Sequence, residues 1–246
     1  MFSIFKKRSQ SENNLAALGT DMHSHLLPGI DDGSPDSETS LQLMRGMIEL
    51  GISRFITTPH IYWDLYKNDP GTIGAAHSTL NDALATERID TPIRAAAEYF
   101  MDDHFDRLIN SKAPLLTISG NMVLVEFSFV SPPANFKNQL FNLQINGYQP
   151  VLAHPERYMY LTGSKNVFDD LKDAGCLFQV NLLSLAGYYG KPPADLANYL
   201  IKRQYVELLG TDLHHFRHLD ALRFSPQLMS PVNGLLDSGR LLNSKL

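Results

Sequence analysis

Short apolar runs and longer amphipathic stretches alternate along most of the 246-residue chain, a pattern that predicts repeated units of one strand and one helix. Strands are expected over 18–23, 54–58, 93–97, 122–125, 149–153, 177–181 and 206–210. Helices are expected over 36–50, 69–87, 103–109, 134–146, 165–174 and 194–202. Two helix starts carry cap chemistry. Asp36 or Ser37 precedes an apolar face of Leu41, Met44, Met47 and Ile48, and Asp69 is followed by Pro70. Gly51 supplies a stop for the first of these helices. Such alternation implies parallel strands with helical crossovers, and seven units are more than an open sheet needs. The expected fold is therefore α/β, a seven-stranded β/α (TIM-like) barrel, with a doubly wound sheet as second choice.

Composition narrows the class without changing that picture. Hydrophobic content of 43% and charged content of 19% describe an ordinary globular chain, and the length suits one domain over 18–246 after a polar arm over 1–17. A net charge of -5 weighs against nucleic acid, and no apolar run reaches membrane-spanning length. Cys176 is the single cysteine, so no intrachain disulfide can form. The N-terminus, MFSIFKKRSQSENN, lacks the apolar core and cleavage site of a secretory signal, and a cytoplasmic location is expected. Phe2, Ile4 and Phe5 beside Lys6, Lys7 and Arg8 offer a second possibility, contact with a membrane surface or a partner.

The chemistry gathers at strand ends. His23 and His25, in DMHSHLLPGIDDG, follow the first expected strand, His60 the second, Glu98 the third, Glu126 the fourth, His154 the fifth, and Asp212 and His214 the seventh. A lone strand-end His or Glu is usually a hydrogen-bonded surface group, and Asp31, Asp32 and Gly33 alone would be read as a turn. Coincidence decides: six of seven strand ends carry His, Glu or Asp, and none carries Lys or Arg. The C-terminal ends of parallel barrel strands share one face, so these groups converge in space. Eight or nine N and O donors without a thiolate exceed one tetrahedral site and suit two or three ions such as Mn, Zn or Fe. Ions held about 3.5 to 4 Å apart stabilise attacking and leaving oxygens of a phosphoryl displacement and acidify bound water, which points to hydrolysis.

Neighbouring residues add to this reading. Arg157, in His154-Pro155-Glu156-Arg157-Tyr158, can clamp a phosphate through its planar fork or pair with Glu156 at the surface. Arg217 is a second candidate clamp, and His215 competes with His214 for the ligand role. Tyr62, Trp63, Tyr66, Tyr99, Phe100, Tyr158 and Tyr160 flank strand ends, available for a flat aromatic group or for packing. A cysteine phosphatase is excluded, because Leu182 stands where its arginine would be, six residues after Cys176. Nucleophile-elbow, Walker and dinucleotide fingerprints are absent from the sequence.

The ordered set DMHSHLLPGIDDG, TTPH, AAEYF, LVEFS, VLAHPERY and GTDLHH resembles the polymerase and histidinol phosphatase (PHP) superfamily, over about residues 19–218. Within it, the set most resembles the metal-dependent tyrosine phosphatases of bacterial capsule and exopolysaccharide systems. The resemblance implies a distorted seven-stranded barrel of the PHP type, three divalent metal ions (often Mn), and a substrate in the tyrosine-phosphorylated tail of a polysaccharide-assembly kinase. By position it implies one ion at His23, His25, Glu98 and Asp212, a second at Glu98, Glu126 and His154, and a third at Asp32, His60 and His214. Arg157, Asp32, His60 and His214 are then the expected catalytic set, and Arg157, Arg217 and Tyr62 the expected substrate contacts. Alternatives are a small-molecule phosphomonoesterase of the histidinol-phosphatase type and a non-catalytic metal-binding regulatory protein.

Overall fold

The structure, a computed structural model, describes residues 12–246, so the apolar and basic start from Phe2 to Arg8 lies outside the described residues. Among the described residues nine short strands form: β1 (Thr20–Asp21), β2 (Arg54–Thr57), β3 (His60–Ile61), β4 (Ile93–Ala95), β5 (Glu98–Phe100), β6 (Met122–Glu126), β7 (Gln149–Ala153), β8 (Leu177–Asn181) and β9 (Leu208–Gly210). All pair in parallel, in two sheets ordered β1-β2-β4 and β3-β5-β6-β7-β8-β9. The two sheets are one ladder with a break. Thr57 pairs with Ala95 and His60 with Glu98 at the same offset, and Ala96 N–H donates to the Thr57 carbonyl and Glu98 N–H to that of Pro59 across the gap. Pro59 has no N–H to give the ladder, which interrupts pairing there without changing its register. Counted as β1, β2 with β3, β4 with β5, and β6 to β9, the barrel has the seven strands expected.

Among the described residues the helices are α1 (Ser37–Glu49), α2 (Pro70–Thr86), α3 (Asp103–Asn110), α4 (Phe136–Ile145), α5 (Asn166–Asp173), α6 (Leu182–Leu185), α7 (Lys191–Lys202), α8 (Phe216–Phe224) and α9 (Met229–Asp237), with short 3-10 turns at Pro155–Arg157, Met159–Gly163 and Asn243–Lys245. The foreseen caps are present: Asp36 accepts from Thr39 N–H, and Asp69 and Thr72 form a reciprocal capping box ahead of Pro70. Other edges shift. α7 starts three residues earlier than expected because Pro192 and Pro193 fit a first turn, and strand pairing near residue 18 is confined to β1. The body also begins inside the expected arm. Leu15 is buried with its N–H on the Leu50 carbonyl, and the Asn13 side chain donates to the carbonyls of Leu222 and Ser225.

Strand parity sorts the core. Met22, Ile56, Ala96, Leu124, Val151, Ala153 and Leu208 fill the barrel interior, whereas Phe55, Val123, Val125, Leu152, Phe178, Val180 and Leu209 pack outward against the helices. Two residues beyond interior positions stand Glu98 after Ala96 and Glu126 after Leu124, so the same alternation that fills the barrel turns these carboxylates into its mouth. Between β1 and β9 there is no strand ladder, and the seam closes by other means. At the mouth, Ser24 bridges Leu213, His25 N–H donates to the Leu213 carbonyl, Asp212 N–H donates to the His23 carbonyl, and Asp21 accepts from both Thr211 N–H and Thr211 Oγ. At the opposite end the buried Asn243 side chain does the work of a missing strand: Nδ2 donates to the carbonyls of Thr20 and Leu209, and Oδ1 accepts from Leu209 N–H. Replacing Asn243 with Ala leaves these buried backbone groups unpaired and is expected to cost about 1–3 kcal/mol, read as a lower midpoint in urea denaturation. An unchanged midpoint would contradict the seam role.

Candidate metal centre

All nine sequence-predicted donors meet at the mouth. His23, His25 and Glu98 are fully buried, Glu126, His154 and Asp212 almost so, and His60, His214 and Asp32 stand progressively nearer the opening. Glu98 is central. Its Oε2 lies 3.3 Å from His23 Nε2, 3.4 Å from His25 Nε2 and 3.2 Å from His60 Nδ1, and its Oε1 lies 3.2 Å from His154 Nε2. Asp212 Oδ1 approaches His23 Nε2 to 3.5 Å, His25 Nε2 to 3.6 Å and His214 Nδ1 to 3.4 Å. Glu126 faces His154 at 3.6 Å and His60 at 3.8 Å, and Asp32 faces His60 at 3.5 Å and His214 at 3.6 Å. Four overlapping groups have donors close enough to share an ion: His25, Asp32, His60 and His214; His23, His25 and Asp212; His23, Glu98 and His154; His60, Glu98 and Glu126.

Local backbone explains how these side chains converge. His154 and Asp212, just past β7 and β9, adopt left-handed conformations at φ 30° and 53°, which non-glycine residues rarely hold and which turn each chain abruptly at its strand end. Gly33 has no Cβ because one would overlap the His25 carbonyl, and this close approach folds the aspartate turn over His25. There Asp31, read from sequence as a turn residue, accepts from His25 Nδ1 at 2.8 Å and from His60 N–H at 3.1 Å. It fixes the ring's orientation while leaving Nε2 inward.

Burial opposes charge on every group here, and neighbours decide the outcome. Against that burial, His23 and His60 hold Glu98 well below the usual carboxylate range. Burial pushes Glu126 well above it, helped by the charges of Glu98 and Asp212. His60 is pushed down to about 4 by burial and by His25. Glu98 Oε1 and His60 Nδ1 are buried without a hydrogen-bond partner although other donors crowd within 3.2 Å of each. Buried polar atoms without partners inside an all N and O set fit divalent cations.

Above the donors lies a pocket of about 260 Å³, lined by His60, Glu126, His154, Asp212 and His214 together with Arg157, Phe129, Tyr189 and others. Arg157 lines this pocket and does not pair with Glu156. Its guanidinium lies over Tyr189 at 3.9 Å and Phe129 at 5.0 Å, with Nη1 3.3 Å from Asp212 Oδ2. Glu156 is turned away and buried, accepting from Asn181 N–H and Ser184 Oγ. The structure does not bring Arg217 or Tyr62 to this pocket: Arg217 is exposed on α8, and Tyr62 stacks on Phe100 at 3.9 Å. It is Tyr66 that stacks on His60, at 5.5 Å. His215 serves as the α8 cap, accepting from His218 N–H. Tyr158 is core, its hydroxyl bridging Phe127 N–H and the Ala153 carbonyl. Burial pushes the Cys176 thiol up to about 12, far from a reactive thiolate.

Sequence reasoning missed Phe129, Tyr189, Gln179 and Asn181. Gln179 and Asn181 end β8, the one expected strand without an acidic or histidine terminus, and their inward parity was the available signal. Among the described residues no helix is long and apolar enough to cross a membrane.

Comparison with known proteins agrees with this geometry. Residues 19–228 match the family model described as capsular polysaccharide synthesis, CpsB/CapC. The tyrosine-protein phosphatase YwqE of Bacillus subtilis is 29% identical over 197 residues, covering 80% of this chain and 78% of that protein. The tyrosine-protein phosphatase CpsB of Streptococcus pneumoniae is 26% identical over 201 residues, covering 79% and 82%. A crystal structure from work on YwqE and CpsB, described there as unique metal-dependent tyrosine phosphatases, superposes with a TM-score of 0.75 at 29% identity, over 82% of this chain and 84% of that one. With all nine donors inside the matched span, the chain belongs to the CpsB/CapC family of capsular polysaccharide synthesis proteins.

Proposed function

We propose that the protein is a metal-dependent protein-tyrosine phosphatase that acts in the cytoplasm on the phosphorylated tail of a polysaccharide-assembly kinase. The observation that carries this reading is the convergence of nine N and O donors beneath a pocket whose wall holds one arginine between two aromatic rings. The activities named for YwqE and CpsB support it. Three ions are proposed, manganese first, with iron or zinc also accepted by such donors. His23, His25, Glu98 and Asp212 would hold one, Glu98, Glu126 and His154 a second, and Asp32, His60 and His214 the third. Bound divalent ions would supply charge stabilisation at the phosphoryl oxygens and acidify water for attack on phosphorus.

The chain's own residues do the rest. Arg157 presents a planar fork to the phosphate's outer oxygens, held against Phe129 and Tyr189 and steadied by Asp212. Phe129, about half exposed and stacked on His154 at 5.6 Å, gives the tyrosyl ring a flat wall. Asp32, His60 and His214 stand on the open side of the cluster, where a proton must reach the leaving oxygen. With Cys176 buried in the core, the chain offers no thiolate for a covalent phosphoenzyme.

The decisive assay is hydrolysis of a phosphotyrosine peptide by chelator-stripped protein before and after adding Mn, with histidinol phosphate in parallel. Restored activity that favours the peptide is expected; preference for histidinol phosphate would replace the substrate reading, and activity on neither would favour a non-catalytic metal protein. His154→Ala is expected to lower turnover by orders of magnitude with the circular dichroism spectrum unchanged, and a wild-type rate would sink the site assignment. Arg157→Lys keeps the charge but loses the fork, and a drop of about 10²-fold in kcat/KM with metal content unchanged is expected.

A further inference from the structure

β8 brings no metal donor to the mouth, yet its two terminal inward side chains, Gln179 and Asn181, are completely buried among the donors. They form a chain of hydrogen bonds with one possible direction. Asp212 Oδ2 is a carboxylate oxygen and accepts from Asn181 Nδ2 at 2.8 Å. That orients the Asn181 amide so that its Oδ1 accepts from Gln179 Nε2 at 2.9 Å. The Gln179 amide is thereby oriented too, and its Oε1 lies 2.7 Å from His23 Nδ1 and accepts from His154 N–H at 3.3 Å. An amide oxygen only accepts, so His23 must carry its proton on Nδ1. That leaves His23 Nε2, which faces Glu98 Oε2 at 3.3 Å and Asp212 Oδ1 at 3.5 Å, as the ring nitrogen able to take a cation. Turned the other way, the Asn181 amide would set oxygen against oxygen at Asp212.

The surroundings are built around this chain. Asn181 is held in place through its own N–H, which donates to the buried Glu156 at 2.9 Å, and Glu156 in turn accepts from Ser184 Oγ at 2.7 Å. Gly210, facing the chain from β9, has no room for a side chain: a Cβ would lie 2.7 Å from His23 Cβ and 2.8 Å from Gln179 Nε2. We propose that Gln179 and Asn181 are positioning residues, an amide relay through which Asp212 dictates the Nδ1–H tautomer of His23 and so keeps His23 Nε2 free to bind a divalent cation. The proposal rests on the functional reading only in taking His23 as a metal ligand. It also explains why the one strand end without a donor carries amides, which can be oriented by a carboxylate and still accept from an imidazole.

The test reads the tautomer directly. Protein labelled with 15N at histidine is examined by long-range 1H–15N correlation, metal-free at a pH where the imidazoles are neutral and again after loading with diamagnetic zinc, and zinc affinity is measured by calorimetry. The wild type is expected to show His23 Nδ1 protonated in both forms. Asn181→Leu leaves Gln179 in place but removes the shorter of the two contacts that orient its amide, leaving only the 3.3 Å bond from His154 N–H; a mixed His23 tautomer and about 10- to 100-fold weaker zinc binding are expected. Gln179→Leu should do the same, whereas Gln179→Glu, whose carboxylate still accepts from Nδ1, should keep the Nδ1–H tautomer. A merely structural role would lower thermal stability equally in all three without this ordering. Wild-type tautomer and zinc affinity in Asn181→Leu, or in Gln179→Leu should the first variant not fold, would overturn the relay. Neither readout involves phosphatase activity, so a failed substrate assay and a failed relay are told apart.

Discussion

The mouth of this barrel concentrates charge that burial disfavours. Glu98, Glu126 and Asp212 lie out of water within reach of one another, with five imidazoles around them and, among the described residues, Arg157 as the one permanent cation lining the pocket. Desolvating such groups costs several kcal/mol each unless they are paired. The responses are visible: Glu126 is driven toward its neutral form, Glu98 is held charged by facing histidines, and polar atoms remain without partners. Cations in the cluster would relieve all three strains together. The arrangement makes chemical sense as a site whose stability and reactivity both depend on bound metal.

The rest of the fold serves that concentration. Period-two alternation fills the barrel with Met22, Ile56, Leu124, Val151 and Leu208 and places carboxylates above this plug. Left-handed turns at His154 and Asp212 store local strain where side chains must be aimed, a cost that the surrounding seam and strand pairing overcome. The seam between β1 and β9 combines backbone bonds at the mouth with the Asn243 side chain at the other end, so the first and last barrel elements are locked beside the two ligand pairs they deliver.

Much of this was legible in the sequence, for identifiable reasons. β7 and β8 fall where expected because Pro150 to Ala153 is a short apolar run and Leu177 to Asn181 alternates at the period of a strand, and α1 and α2 begin where Asp36 and Asp69 can cap them. The donors were legible because strand ends share a face whatever the details of packing. What escaped depends on contacts between distant residues. Asn243 lies far from both strands it joins, and its role exists only once they are adjacent. Phe129 and Tyr189 are ordinary aromatics until the fold sets them against Arg157, while Arg217 and Tyr62 have suitable chemistry in the wrong place. Gln179 and Asn181 escape a reading that looks for imidazoles and carboxylates at strand ends; parity alone gives them their position.

The chemistry of this mouth depends on whether the cluster holds several metal ions at once. Anomalous diffraction from crystals of the manganese-loaded protein, recorded on either side of the metal edge, measures that without reference to any substrate. Three peaks among His23, His25, Asp32, His60, Glu98, Glu126, His154, Asp212 and His214 are predicted, with Glu98 adjoining more than one. A single peak, or manganese bound elsewhere with the cluster unchanged, would contradict the account.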